Sequence, residues 1–418
     1  MKTECLSTTL QIHRFTFSHR TLCLYSKRFS FHKFISIKSL IIKSNKLLCR
    51  QYSTSNTPYS DKYYQPIISE GASGFIKLNI PKDFVANNQL LVQDDDEIID
   101  QDNLIDIVNS IDASIEVSIG YGSGILAQNG YKENSNEEKQ LDFINLVPDC
   151  HQFHKKNLNQ NLRHYSIKSL RIVNIIQGRE GIYFNPFVSI NKKLVKYGII
   201  STESALMDLS EWNSFYFAGR LQKPVNFIID KNPMVKFMNQ YNLKNAMAIA
   251  IFLIKSNEFS EKELYEQITK LSYLGDFRMY VGGENPNKVK NIVSKQFEQF
   301  KKLYEPIINY FIHRNYLIIV NNDPVNRLFK KNLQIPQKIK LISCLPLQFR
   351  TQLYKKFQDK SLKEIVKHEK LADHITSLIS RIIIISSIKQ GIRGIFSAGL
   401  FKSIKYALAK QLKFWNHK

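Results

Sequence analysis

Cysteine is scarce and poorly placed for structural use. There are five in 418 residues, and Cys5, Cys23 and Cys49 fall in the first 52 positions. Cys150 and Cys344 have no second thiol nearby at zinc-ligand spacing, which argues against both a disulfide framework and a zinc site. Long apolar runs are also missing. The best candidates, Ala246–Ile254 and Ile382–Ile385, fall well short of the ~20 residues that span a bilayer, and they read as pieces of core helices. No internal repeat is visible. Acidic residues are few, 36 against 59 Lys and Arg, for a formal charge of +23. So basic a chain suits polyanionic partners such as nucleic acid, nucleotide or an acidic membrane surface, without choosing among them.

What is present allows two compact domains plus extensions. The 43% hydrophobic content, with 20 Tyr and 27 Phe, is enough for real cores. The charge is uneven: Met1–Tyr52 contributes +9 through ten Lys/Arg and one acid, Glu4, and the remainder contributes +14. Residues 1–52, rich in Arg, Lys, Ser and Phe, have the composition of a mitochondrial transit peptide. Arg50-Gln51-Tyr52 before Ser53-Thr54-Ser55 suits cleavage after Tyr52; a disordered basic tail is the alternative. Asn56–Pro81 reads as a polar connector. Asn87–Asn103, with Asp94-Asp95-Asp96-Glu97, Asp100 and Asp102, reads as a solvated acidic loop or helix start rather than a metal site.

The centre of the chain is Ile119-Gly120-Tyr121-Gly122-Ser123-Gly124 with Asp142 after it. Ile115, Val117 and Ile119 alternate with polar residues, predicting a strand over Ile115–Ile119 that runs into the glycines. Such a turn can aim several N–H groups at a phosphate; a tight hairpin turn accounts for the same glycines. After a polar insert at 134–139, Leu141–Val147 reads as a second strand. A carboxylate beside a phosphate-cradling turn is what metal-assisted nucleotidyl transfer needs. The pattern resembles a polymerase-β-type nucleotidyltransferase core, although Ile144 stands where a second acid is usual.

Downstream, Pro148–Leu158 predicts a loop entering a helix. His151 and His154 would share a face there, as a metal pair, as phosphate or nucleobase contacts, or as part of a solvated helix. Phe187–Ile200 predicts a strand pair around Asn191-Lys192-Lys193, and Leu206–Trp212 a helix. Lys196, Arg220 and Lys223 are candidates to hold phosphate, Arg as a bidentate fork and Lys as a mobile point charge. From Leu243 the pattern is helical, with a capping box at Ser260–Glu263 and a first-turn proline at Pro286. In the tail, Arg381–Lys418 carries eight Lys/Arg and no acid, broken at Gly391–Phe396. Phe401, Ile404, Leu408, Leu412 and Trp415 then recur at helical spacing, with Lys405 flanking the stripe and Lys402, Lys410 and Lys413 on other faces. Either an anionic membrane surface or the protein core would accept that stripe.

Taken together, the blocks resemble the mitochondrial phosphatidate cytidylyltransferases, or CDP-diacylglycerol synthases. The matching pieces are Tyr121–Gly124, Leu141–Ile144, His154 through Asn157-Leu158 and Asn161 to His164-Tyr165-Ser166, Lys196–Ile200, Asp208-Leu209 with Trp212 and Tyr216, Ala218–Val225, Leu271–Tyr273, Gly275–Arg278 and Gly394–Gly399. They keep the family's order over nearly all the chain after residue 65. Ser397, where Thr is expected, and the acidic 87–103 insertion depart from it.

The resemblance implies an α+β protein: a nucleotidyltransferase domain over 60–230, a helical, winged-helix-like domain over 240–373, and a basic amphipathic membrane-associating segment over 374–418. It implies transfer of CMP from CTP to phosphatidate, with Mg²⁺, on the matrix face of the mitochondrial inner membrane, feeding cardiolipin and phosphatidylglycerol synthesis. Nucleic acid is then not an expected partner. Gly122, Ser123 and Gly124 would face the triphosphate, Asp142 the metal, and Lys196, Arg220 and Lys223 the phosphates. His164 and Tyr165 would touch the nucleotide. Asp208 would supply a second metal carboxylate or serve as a helix-start residue. An RNA-directed nucleotidyltransferase and a non-catalytic inner-membrane assembly factor are the rival readings. Residues 1–60 fused to a fluorescent protein are expected to carry it into mitochondria; a cytosolic fusion would refute the leader reading.

Overall fold

A computed structural model describes residues 64–71, 74–81, 84, 101–112, 114–126, 140–179, 181–276, 287–323, 326–358 and 360–398. The leader, the acidic stretch through residue 100, the 134–139 insert, Phe277-Arg278, Pro286, Gly399 and the Phe401–Trp415 stripe lie outside the described residues.

The architecture is α+β, as expected. A hairpin of β1 (Tyr64–Gly71) and β2 (Gly74–Pro81) comes first, then α1 (Gln101–Ile111). The main sheet has five strands in the order β5-β6-β4-β3-β7: β3 (Val117–Tyr121), β4 (Leu141–Val147), β5 (Tyr183–Ile190), β6 (Lys193–Ser201) and β7 (Asn226–Asp230). All neighbours are antiparallel except β4 and β6. A parallel pair needs a long crossover. Here α2 (Cys150–Gln160), the short helix Leu162–His164 and α3 (Leu170–Gln177) supply it, with edge strand β5. Strand β3 begins two residues later than predicted and continues through Tyr121, because pairing with β4 extends to Tyr121–Asp142. The β5–β6 turn at Asn191-Lys192 takes positive φ (49° and 62°), which suits the twist of a tight hairpin.

One sheet face is packed. Helix α1 turns Leu104, Ile107, Val108 and Ile111 onto Phe143, Val147, Val195, Tyr197 and Ile199, with Phe153 of α2 beside them. The spacing i, i+3, i+4, i+7 lines one helix face, and each such burial is worth about 2 kcal/mol. The other face carries α4 (Thr202–Glu211) and α5 (Tyr216–Leu221). The long α6 (Pro233–Leu253) starts ten residues before Leu243, inside what the sequence suggested as a domain boundary. It is buried on all sides from Met238 to Ile251, apart from Lys244, so it is a shared core element rather than a linker.

Beyond it lie α7 (Glu261–Leu271), α8 (Lys288–Lys295) and α9 (Phe297–His313). A three-stranded sheet, β8 (Glu258–Ser260), β10 (Leu328–Lys331) and β9 (Leu317–Asn321), stands with them. The Ser260–Glu263 capping box forms as predicted. Helices α10 (Ile335–Ser343), α11 (Leu347–Lys355) and α12 (Leu362–Lys367) lead to α13 (Leu371–Ala398). Two expectations fail at α13. Gly391 and Gly394 do not interrupt it, and the helix is long and apolar enough to cross a membrane by length and composition. Ser, Thr, Gln and Gly break an apolar run in sequence, yet they lower a helix's hydropathy only slightly.

The polar block after β4 becomes a buried network rather than a surface. Asp149 caps α2 by accepting from His151 N and Gln152 N. His151 stays exposed against Asn174 while His154 is fully buried, so the two histidines do not present one polar face. His154 Nε2 lies 3.1 Å from Gln177 Oε1, which must accept, because Gln177 Nε2 donates to Gly181 and Ile199 carbonyls. Nδ1 then accepts from Tyr165 Oη at 2.8 Å. Asn157 donates to Tyr165 and Tyr197.

Burial pushes the His154 pKa down to about 4, so the folded chain holds it neutral. The unfolded chain takes up that proton below about 6.5, so this contribution is complete above that pH and is lost as pH falls toward 4. Denaturant titration at pH 7 and pH 5 is expected to show about 2 kcal/mol lost through this group. His154→Gln should show a correspondingly smaller drop; an unchanged pH slope in that variant would refute the assignment.

Candidate functional site

The site is built by register. Tyr121 of β3 sits opposite Asp142 of β4, and Asp142 sits beside Lys196 of β6. Alternation puts all three on the face opposite the α1 core. Lys196 Nζ donates to Asp142 Oδ1 at 3.1 Å, with side chains 30% and 26% exposed. An ion pair this accessible adds little stability. It leaves both groups within reach of a ligand.

The glycine turn lies against the same carboxylate. Gly122 has φ +80°, and a Cβ there would stand 3.6 Å from Asp142 Oδ2. A Cβ on Gly124 would meet the Gln140 carbonyl at 2.3 Å, so only glycine lets the turn close onto β4. Ser123 is exposed at its tip. The turn and Asp142, twenty residues apart in sequence, are therefore one structure.

Arg220 reaches the site from α5, whereas Lys223, two residues beyond that helix, turns to Gly219 and Ser272. The Arg220 guanidinium lies 4.3 Å from the Tyr121 ring centroid, and among the described residues it pairs with no carboxylate. Lys196 Nζ is 4.8 Å from the Phe184 ring centroid and 6.0 Å from that of Tyr121. Such stacking holds a cation in place while leaving its hydrogens for an anion. Burial opposes the Lys196 charge, but Tyr121 and the Asp142 carboxylate outweigh it and raise the pKa above the ordinary lysine value. Lys223 behaves otherwise. It is buried, donates to the Gly219 carbonyl and to Ser272 Oγ, and its pKa lies well below the lysine value through burial and the nearby Arg220 and Lys288 cations. Its bond to Ser272 ties α5 to the end of α7.

Asp208 is 3% exposed, and both its oxygens are taken by backbone donors. Oδ1 accepts from Ser214 N and Phe215 N, and Oδ2 from Phe217 N and Ala218 N, at 2.7–3.0 Å. Trp212 and Phe215 adopt left-handed φ (57° and 58°), each costing about 1–2 kcal/mol. The carboxylate offsets that strain and starts α5 in the direction that delivers Arg220. Asp208 therefore does not start its own helix, since it lies inside α4, and its carboxylate instead holds the turn into α5 with four backbone N–H groups, which occupies both oxygens.

His164 and Tyr165 stand apart from the cations. His164 Nδ1 is 2.9 Å from Tyr197 Oη, and Tyr165 is buried in the network under the sheet. Tyr197 follows Lys196 in β6, so it points away from the Asp142 face and these residues go with it. Ile144 is buried and supplies no ligand. Among the described residues no cluster of three or more His, Cys, Asp or Glu is placed to hold a metal ion. One carboxylate facing the Gly122–Gly124 turn has the chemistry that suits Mg²⁺, which commonly takes one or two carboxylates and completes its shell with phosphates and water. Sequence reading gave no role to Tyr121 or Phe184. Their aromatic rings next to cations were the available signal, but it appears only when the strands are paired.

A sequence model of the family described as "Phosphatidate cytidylyltransferase, mitochondrial" matches residues 104–413. A protein of that name from Saccharomyces cerevisiae is 37% identical over 334 residues, covering 78% of this chain and 73% of that one. The Schizosaccharomyces pombe protein is 35% identical, covering 77% and 85%, and the Mus musculus protein 34% identical, covering 72% and 91%.

Asp208→Asn is expected to lower stability by about 2–4 kcal/mol, because the amide turns donors toward backbone N–H groups and strands them. Urea unfolding measures this; unchanged stability would favour a metal-ligand role.

Proposed function

The chain belongs to the mitochondrial phosphatidate cytidylyltransferase family, and from that premise we propose how its residues carry the reaction. It transfers CMP from CTP to phosphatidate, giving CDP-diacylglycerol and pyrophosphate, in mitochondria. A phosphatidate phosphate oxygen attacks the α-phosphorus, a P–O bond forms, and the bond from Pα to the bridging oxygen breaks as pyrophosphate leaves. The nucleophile is already anionic, so no strong general base is needed. The obstacle is bringing two anions together, and fixed cations and N–H donors relieve it.

The observation carrying this assignment is the row Tyr121–Asp142–Lys196 under Arg220, next to the Gly122–Gly124 turn. The turn's N–H groups receive the triphosphate. Lys196 and Arg220 neutralise the phosphates that meet at Pα. Lys223 acts mainly by seating α5 against Ser272. Asp142 would hold Mg²⁺, which when bound draws charge from the triphosphate oxygens. The mixed sheet with its strand-borne carboxylate supports a nucleotidyltransferase domain. Helices α7–α9 with the β8-β10-β9 sheet support a winged-helix-like module that here serves packing. The product would feed cardiolipin and phosphatidylglycerol synthesis from the matrix face of the inner membrane, with the protein bound peripherally.

With CTP labelled at the α-phosphate, label is expected in organic-extractable lipid; label in acid-precipitable polymer would favour the RNA rival, and no turnover the non-catalytic one. Asp142→Asn should abolish turnover without loss of fold, and Arg220→Ala should lower kcat/KM at least a hundredfold. Wild-type rates in Asp142→Asn at saturating Mg²⁺ would remove that residue from the site.

A further inference from the structure

On β6, Gly198 follows Lys196 by two positions and so shares its face of the sheet. Across the antiparallel β5–β6 pair it stands opposite Phe184. A Cβ on Gly198 would lie 2.5 Å from Phe184 Cε1, 2.9 Å from its Cδ1 and 2.8 Å from Ile182 Cγ2. The Phe184 ring therefore occupies the space where a side chain at 198 would begin. Glycine weakens a strand interior, and it suits a place where another group must come this close to the backbone. The pairing that sets this contact is short. The β5 register shifts between Asn185 and Val188, with Phe187 at φ 58°, directly after Phe184. Bulges of this kind re-aim the side chains beside them.

The ring has two further neighbours. Lys196 Nζ stands 4.8 Å from its centroid, and Tyr216 meets it edge-on at 6.4 Å, with the ring planes at 61°. Tyr216 is the first residue of α5, the helix that carries Arg220. One buried ring thus touches both the lysine and the start of the helix that delivers the arginine. Lys196 needs such a hold. Its pair with Asp142 is partly open to solvent, and a pair of that kind fixes a long side chain only weakly. A phosphate reaching Lys196 also competes with Asp142 for the ammonium hydrogens. The contact with the ring face uses none of them, so it persists while the lysine changes partner.

We propose that Gly198 and Phe184 are positioning residues for the transfer reaction. The missing side chain at 198 seats the Phe184 ring, and the ring holds Lys196 Nζ and, through Tyr216, the start of α5. The two cations that receive the phosphates are thereby set at a fixed spacing across β6 and α5. The purpose of this seat rests on the cytidylyl-transfer reading; the seat itself rests on the contacts alone. Packing alone would place no demand on the ring face, and an aliphatic side chain of similar size at 184 would serve it. The cation does place that demand, because only an aromatic face attracts it.

Two measurements on the full chain test this. The first is ¹³C NMR after reductive ¹³C-methylation of the lysines, with the Lys196 signal identified by its loss in Lys196→Arg. Ring current from Phe184 is expected to move that signal upfield of the exposed lysines in the wild type, and Phe184→Leu to return it among them. The second is turnover of CTP with short-chain, water-soluble phosphatidate. Phe184→Leu should lower kcat about tenfold while KM for CTP changes less than about threefold, and Phe184→Tyr, which keeps the ring, should recover most of the rate. Gly198→Ala should also displace the methyl signal and lower kcat, and should add less than about twofold in the Phe184→Leu background, since both changes remove one contact. If Gly198→Ala does not fold, the two Phe184 variants decide. A wild-type Lys196 signal among those of exposed lysines overturns the proposal. So does a wild-type kcat in Phe184→Leu, a Phe184→Tyr as slow as Phe184→Leu, or losses that multiply in full in the double variant. A lower melting temperature in Phe184→Leu with the methyl signal and kcat unmoved would show packing alone, and that too overturns it. An inactive wild type would refute the cytidylyl-transfer reading, and the methyl signal would still show whether the ring holds the lysine.

Discussion

The Asp142–Lys196 pair across the parallel strands β4 and β6 is the constraint on which the rest of the site depends. It needs a parallel register, and parallel register needs a crossover. That requirement explains why α2, α3 and the buried network beneath them come between the carboxylate and its lysine in sequence. A one-residue slip of β6 would put Tyr197 on the Asp142 face and bury Lys196 among aliphatic side chains. The hydrogen bonds that Tyr197 Oη shares with Asn157 and His164 guard against that slip. The network under the α1 face therefore holds the Asp142–Lys196 pair in place through register.

A second layer of positioning comes from Asp208. Its four backbone hydrogen bonds hold two left-handed residues and set the start of α5, from which Arg220 reaches over Tyr121. A carboxylate that the sequence offered as either a metal ligand or a helix-start residue has both oxygens on the backbone of the turn into α5. Fixed cations matter more than a base in this reaction. Most of the polar residues around the site accordingly hold Arg220, Lys196 and the glycine turn in place, and few have a proton to move.

The cations of the chain fall in two settings. Lys196 and Arg220 converge beside Asp142, each against an aromatic ring. Along α3 and α13, Arg171 and Lys389 are exposed among apolar side chains. Helix α13 packs against the turn after Ser272 through its middle and against α3 through its second half.

Sequence alone determined the parts whose physics is local. The Gly122–Gly124 turn, the β4 strand, the β5–β6 hairpin and the Ser260–Glu263 capping box follow from backbone preference, alternation and short-range hydrogen bonds. The family followed from ordered blocks. What only the tertiary structure decided were properties of pairing and burial. These include the meeting of Tyr121, Asp142 and Lys196 on one face, the turn of His164 and Tyr165 to the other, the conversion of Asp208 from free carboxylate to backbone cap, and the seating of α13 on α3. Each depends on partners tens to hundreds of residues away, and a side chain's chemistry is decided by which of its atoms those partners leave free.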